Sequence, residues 1–313
     1  MVLPLTLAEL PSVPAADDLL RFGGLPLVRG ERSVSGRVDL LEAYVETYLT
    51  QEIRAEALVR SLESFSRFLE VAALANGEVT NVASLARDSA VARPTVQGYF
   101  ETLVDTLIGA WLPAWRPRAK VKETSHPKFY LFDCGVVRAL SRRLREPLDS
   151  AERGHLLETL IFHELRAWIA YSGSGGELSY YRTPAGVEVD FVWSRGKHRI
   201  GIEVKAARQW RPEYGRALAE LRAAGVLTAC HGIYPGHRGR DDSDQPRRAF
   251  SIAATSIFFI SIIASNTRFA TAGSPLAIAS VSTSGVICHD TPHLSLHQPQ
   301  ALSCPPWPTI AFQ

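Results

Sequence analysis

Residues 187–205 read VEVDFVWSRGKHRIGIEVK, two runs of alternating apolar and polar side chains joined by a turn. Apolar residues at every second position mark a half-buried β-strand, because successive side chains leave a strand on opposite faces. Arg195-Gly196 supplies the turn, so the stretch predicts an antiparallel hairpin of 187–193 against 198–205. Strict alternation would put Val189, Phe191 and Trp193 on one face and Glu188 and Asp190 on the other. In the second run Ile200, Ile202 and Val204 take the apolar face, while Glu203 and Lys205 share the opposite one. An acid and a lysine thus stand side by side, with Asp190 on the neighbouring strand.

Upstream of the hairpin, the turn signal Thr183-Pro184-Ala185-Gly186 follows a short apolar run at 178–181, which predicts a third strand and an antiparallel meander. Before that, residues 154–170 carry Leu157, Leu160, Ile161, Leu165 and Trp168 on one helical stripe, with Glu158 on its flank and partly buried. Glu164 lies on the stripe itself and is expected to pair with an arginine such as Arg182. Downstream, a helix opened by Pro212 and carrying Leu218 and Leu221 precedes a strand at 226–234, completing an α/β layer. His155, His163 and His198 lack metal-ligand spacing and are expected at the surface or in hydrogen bonds.

The preceding part is helical. Between 34 and 75, Val38, Leu41, Val45, Tyr48 and Leu49, then Leu62, Phe65, Phe68 and Leu69, recur at three- and four-residue steps. Residues 80–108 predict a helix-turn-helix, with a turn at 89–92 and a second helix opened by Pro94. One face of that helix carries Val96, Tyr99, Phe100, Leu103, Val104, Leu107 and Ile108. The other offers Arg93, Thr95, Gln97 and Glu101, polar types suited to a DNA groove. Arg116, Arg118, Lys120 and Lys122 follow at every second position, so an extended strand would point all four charges one way, as a basic wing contacting phosphate. A protein-interaction module with a solvated edge strand is the alternative.

Composition sets outer bounds. The 313 residues are 46% hydrophobic and 21% charged, an ordinary globular mix long enough for two domains, and a net charge of +2 does not demand a nucleic-acid partner. Cys134, Cys230, Cys288 and Cys304 form no C-x-x-C pair, which argues against a zinc site or a disulfide framework. The acidic, proline-rich start argues against a secretory signal, and a cytoplasmic location is expected. From Phe250 onward the only charged residues are Arg268 and Asp290. The apolar run 251–265 is too short for a membrane span. The rest shows no strand or helix period, so the tail is expected to be disordered or the product of a frameshift, and His289, His293 and His297 within it are not expected to form a metal site.

Glu158 on a helix, Asp190 in Glu188-Val189-Asp190-Phe191, and Ile202-Glu203-Val204-Lys205 together resemble the PD-(D/E)XK nuclease superfamily. The resemblance implies that Asp190 and Glu203 hold Mg²⁺ (or Mn²⁺), that Glu158 is an accessory ligand, that Lys205 activates water, and that Glu188 assists. Leu5-Thr6-Leu7-Ala8-Glu9-Leu10, Phe22-Gly23-Gly24-Leu25-Pro26, Lys128-Phe129-Tyr130-Leu131-Phe132-Asp133 and Gly154-His155-Leu156-Leu157-Glu158 resemble the C-terminal region of prokaryotic AAA-type ATPases that end in a domain of unknown function. A Gly-x-x-x-x-Gly-Lys-Ser/Thr loop is absent, since Gly196-Lys197 is followed by His198, so no nucleotide site and no ATP hydrolysis are expected from this chain.

The reading is therefore α/β (α+β). A connector from a missing ATPase core (1–32) leads to a helical and winged-helix region (33–125), a restriction-endonuclease-like domain (126–240) and the tail (250–313). The expected function is metal-dependent cleavage of DNA in association with an ATPase core. A noncatalytic module binding nucleic acid or a partner protein is the alternative.

Overall fold

The computed structural model describes residues 5–10, 14–49, 61–116, 126–207, 209–235, 280–282 and 285–287. It is mixed α/β. Helices α1 (Ala16–Phe22), α2 (Pro26–Gly30) and α3 (Val34–Ala43) open the chain, and a π-helical turn continues α3 through Leu49. Then come α4 (Leu62–Leu74), α5 (Val82–Asp88) and α6 (Arg93–Asp105). Side-chain caps start several of them: Ser33 accepts from Gly36 N–H, Ser61 from Ser64 N–H, and Asn81 from the amides of Ala83 and Ser84. The predicted stripe of α6 is buried at Val96, Tyr99, Phe100 and Leu103, but the helix ends at Asp105. Leu107 takes a left-handed φ of 62° and is exposed, and Ile108 turns back into the core.

Strand β1 (Gly109–Leu112) pairs antiparallel with β2 (Lys128–Leu131), Leu112 facing Lys128. Phe100 of α6 packs edge-on to Phe68 of α4 at 4.9 Å and to Phe129 of β2 at 4.7 Å, clamping the hairpin to the helices. Helix α7 (Cys134–Leu140) follows, capped by Asp133, and then the long α8 (Ser150–Tyr171), capped by Asp149.

The main sheet runs β3 (Glu177–Arg182), β4 (Glu188–Arg195), β5 (His198–Val204) and β6 (Ala229–Ile233) in that spatial order. The first three form the expected antiparallel meander, and β6 lies parallel to β5 after the crossover through a 3₁₀ turn (Pro212–Gly215) and α9 (Arg216–Ala223). One large apolar cluster holds Phe65, Tyr99 and Phe129 as well as Phe162, Phe191 and Ile202, so the helices and the sheet share a core.

Strict alternation fails in β4. Ser179 faces Val192 and Tyr181 faces Val189, so three steps on β4 oppose two on β3 and an extra residue bulges at Asp190-Phe191. Val189 therefore packs with Tyr181, Val192 and Leu218, whereas Phe191 and Trp193 join the large cluster. Residues 5–10 form a turn, in which Leu7 N–H donates to Glu164 Oε1 at 2.8 Å. Glu164 thus takes the N-terminal segment, and Arg182 lies beside Glu188. In the tail, Ser280–Ser282 (β7) and Gly285–Ile287 (β8) pair antiparallel, with the β-branched Val281 opposite Val286, where no strand was expected. The remaining tail, His289, His293 and His297 included, lies outside the described residues.

Two of the quoted motifs meet in space. Gly24 N–H donates to Asp133 Oδ2 at 2.6 Å, and Gly23 sits at φ 69° with Asp133 where its side chain would be: a Cβ there would fall 1.9 Å from Asp133 Oδ1. Gly135 is also closely packed, since a Cβ there would fall 2.5 Å from the Phe22 carbonyl oxygen. Gly23→Ala is therefore expected to lower unfolding stability by about 2 kcal/mol or more, through left-handed strain and displacement of a buried carboxylate. Denaturant unfolding monitored by tryptophan fluorescence measures it; an unchanged midpoint and slope would contradict this packing.

Candidate functional site

Four carboxylates and two lysines meet where α8, β2, β4 and β5 come together. The β4 bulge re-aims Asp190, which is buried, and its Oδ2 accepts Val204 N–H at 2.7 Å. Lys205, just past β5, places Nζ 2.5 Å from Glu203 Oε1 and 3.9 Å from Asp190 Oδ2. Asp190, Glu203 and Lys205 thus stand together, as expected from the hairpin. The other oxygen of Glu203, Oε2, is buried with no hydrogen-bond partner.

Glu158 enters through a second lysine that the pattern did not single out. Lys128 of β2 is 5% exposed, and its Nζ lies 2.8 Å from Glu188 Oε1, 3.8 Å from Glu158 Oε2 and 5.3 Å above the Tyr180 ring. Tyr130 OH donates to Glu158 Oε2 at 3.5 Å. The site thus has two lysine-centred halves, Asp190–Lys205–Glu203 and Glu158–Lys128–Glu188. One signal for Lys128 was present in the sequence: it is the single charged residue in the strand Lys-Phe-Tyr-Leu, all four residues of which are buried, and a buried ammonium requires counter-charges.

The strand bearing Lys128 is held from both sides. Leu131 N–H donates to Asn76 Oδ1 at 2.7 Å, Asn76 Nδ2 donates to Thr159 Oγ1 of α8 at 2.8 Å, and His163 Nε2 donates to Leu131 O at 2.8 Å. Burial pulls His163 down to about 3, so it is a neutral structural donor.

Electrostatically the cluster is overcrowded with negative charge. Burial, reinforced by Asp190, pushes the Glu158 carboxyl up to about 8 and that of Glu203 up to about 7. Asp190 is also raised by burial, against the opposing pull of Lys205 and Val204 N–H. Burial works against both ammonium groups, but the carboxylates outweigh it and hold Lys128 and Lys205 above their usual value. The donor set suits a hard divalent cation: carboxylate oxygens, one of them buried and unpartnered, in excess over the lysines. Among the described residues no three acidic, His or Cys side chains already converge on one point. Asp190 and Glu203 are the pair that would hold such a cation, Lys205 bridging them at present.

Arg93, Thr95 and Gln97 are exposed along α6, and Arg116 is exposed after β1, while Arg118, Lys120 and Lys122 lie outside the described residues.

Residues 14–146 match a family described as a domain of unknown function (DUF8612), and residues 153–254 match a second, also described as a domain of unknown function (DUF4143). Lys128 falls in the first match, and Glu158, Asp190, Glu203 and Lys205 fall in the second. The chain is similar to the uncharacterized proteins Rv2008c of Mycobacterium tuberculosis and Mb2031c of Mycobacterium bovis, each 27% identical over 227 residues, which is 72% of this chain and 50% of the relative. It thus spans about half the length of the curated relatives it matches. No solved structure matches it. No helix among the described residues is long and apolar enough to cross a membrane.

Lys128→Met should cost about 1–3 kcal/mol of stability, because it leaves the half-buried Glu158 and Glu188 without their counter-charge, whereas Lys128→Met combined with Glu188→Gln should recover part of the loss. Chemical denaturation of the four proteins of this cycle checks it, and simple additivity would contradict a coupled pair. A pH dependence follows as well. Glu158 and Glu203 sit above their ordinary 4.5 in the fold, so the folded chain binds more protons than the unfolded one. Their favourable contribution is complete below about 4.5 and is lost as pH rises through about 7 and 8. Melting temperature in chelator should therefore fall from about 4.5 up to about 8 in pH, and Glu203→Gln should flatten the fall.

Proposed function

We propose that this chain is a DNA-associated, metal-dependent phosphodiesterase module working with an ATPase partner. The observation that carries the reading is the Asp190–Glu203–Lys205 constellation, with Glu203 Oε2 buried and unpartnered in an excess of carboxylates. The element order favours it too. A helix bearing Glu158 precedes a three-stranded meander bearing Asp190 and Glu203, followed by a crossover helix and a parallel strand, in keeping with a restriction-endonuclease-like domain.

In this reading Asp190 and Glu203 hold Mg²⁺ or Mn²⁺, which supplies charge stabilisation to the phosphate and a more acidic water. Lys205 Nζ, an ammonium ion-paired with Glu203, would orient the attacking water and donate to the charge that builds on the phosphate, while the water's proton leaves to solvent. Glu158 and Glu188, held by Lys128, set the local potential and tune how readily the pair ionises. The helix pair α5–α6 with the β1–β2 hairpin suits a winged-helix module, whose exposed Arg93, Thr95, Gln97 and Arg116 would position duplex DNA. The ATPase partner is supported by the motif resemblance of residues 5–10, 22–26, 128–133 and 154–158.

A noncatalytic binding module is the second reading. It is favoured by the two lysines, which neutralise much of the acidic charge in place, and by the absence of three converging ligands among the described residues.

Metal titration and plasmid cleavage separate the two. Asp190→Ala should lose Mn²⁺ binding and cleavage together, while Lys205→Ala should keep binding within a few-fold and lose cleavage by about 10²-fold or more. Metal affinity should rise with pH through 7 to 8, because the ligands must shed protons first. A folded wild type that neither binds Mn²⁺ nor cleaves would leave the binding module as the account.

A further inference from the structure

Beyond Lys205, residues 206–216 read AARQWRPEYGR, aromatic and basic side chains interleaved. Trp210 lies against Gly232 of β6, where a Cβ would fall 2.5 to 2.8 Å from the indole ring. Gly232 is the register partner of Glu203 on the parallel strand β5. Partners in register stand on the same face of a sheet, about 4.8 Å apart. The indole therefore covers the strip of sheet beside the Glu203 side chain. Tyr214 meets it edge-on at 5.7 Å, and Tyr234, just past β6, lies 6.1 Å from it at 41°. All three rings are only half-buried, and Arg211 and Arg216 beside them are exposed, Arg211 reaching Glu213 at 4.0 Å.

Rings serving only to seal the core would be expected to be covered. Each of these keeps part of its surface accessible at the C-terminal ends of two parallel strands, where open α/β sheets place their ligands. Accessible ring faces flanked by guanidinium groups are the features that hold unpaired bases and their phosphates. We propose that Trp210, Tyr214 and Tyr234 form a stacking platform for an unpaired base of single-stranded DNA beside the Asp190–Glu203–Lys205 cluster. The inference rests on the nucleic-acid reading of that cluster and narrows its substrate to single-stranded or locally unpaired DNA.

The test uses the full chain in chelator, so that binding is read without cleavage. The probe is a short fluorescent oligodeoxythymidine carrying one 5-bromodeoxyuridine. The wild type should bind it in a salt-dependent manner, and Trp210→Leu and Tyr214→Ala should each weaken binding about tenfold while duplex affinity stays unchanged. Photocross-linking of the wild type, which does not depend on how a variant folds, should place adducts on peptides containing Trp210, Tyr214 or Tyr234. No binding by the wild type, or adducts confined elsewhere with unchanged affinity in folded variants, would overturn the platform. A chain that binds the oligonucleotide through these rings but never binds Mn²⁺ would keep the platform and remove the metal-dependent reaction.

Discussion

The ammonium of Lys128 is buried, and a buried charge is tolerable only where opposite charges and polar groups surround it. Its backbone belongs to the β1–β2 hairpin, while its partners come from α8 and β4. One side chain thus ties the helical half to the sheet at the edge of the acidic cluster. The surrounding bonds serve the same end: Asn76 and His163 fix the strand that carries Lys128, and Phe100 presses the strand's next residue, Phe129, into the shared core. In the proposed function, this makes the DNA-facing hairpin and the carboxylate site parts of one mechanical unit.

The β4 bulge is the second constraint. In a regular strand the side chains on either side of Asp190, Val189 and Phe191, would share a face. With the extra residue, Val189 turns to the α9 side and Phe191 to the α8 side, and Asp190 is free to cap Val204 N–H where the pairing of β4 with β5 ends. That bond sets the acid beside Lys205 and Glu203. Burial raises the proton affinity of Glu158 and Glu203, and the same carboxylate raises it further, so the position of Asp190 adds to the proton affinity of the cluster.

Much of this was legible in local sequence. Period two predicted the hairpin and the pairing of Glu203 with Lys205, and period three to four predicted α8 and the buried face of α6, because both signals depend only on residues a turn or a pleat apart. What escaped depends on distant partners. The bulge exists only relative to β3, and Lys128 gains its role from Glu158 and Glu188, which no local period connects to it. Glu164 was read as needing a partner, and one that it takes is a backbone amide of the N-terminal segment, which has no charge pattern to announce it. Leu107 continued the apolar period of α6 although the helix had already ended, since periodicity carries no stop signal of its own.

The central claim is that the crowded carboxylates form a site for a divalent cation. Isothermal calorimetry of Mn²⁺ binding at neutral pH, repeated in buffers of different ionisation enthalpy, tests it most directly, because a cation must displace the protons that burial and Asp190 keep on Glu203 and Glu158. The account predicts saturable binding with release of on the order of one proton per ion, both lost in Asp190→Ala. Saturable binding without proton release, or no binding by a folded chain, would contradict it.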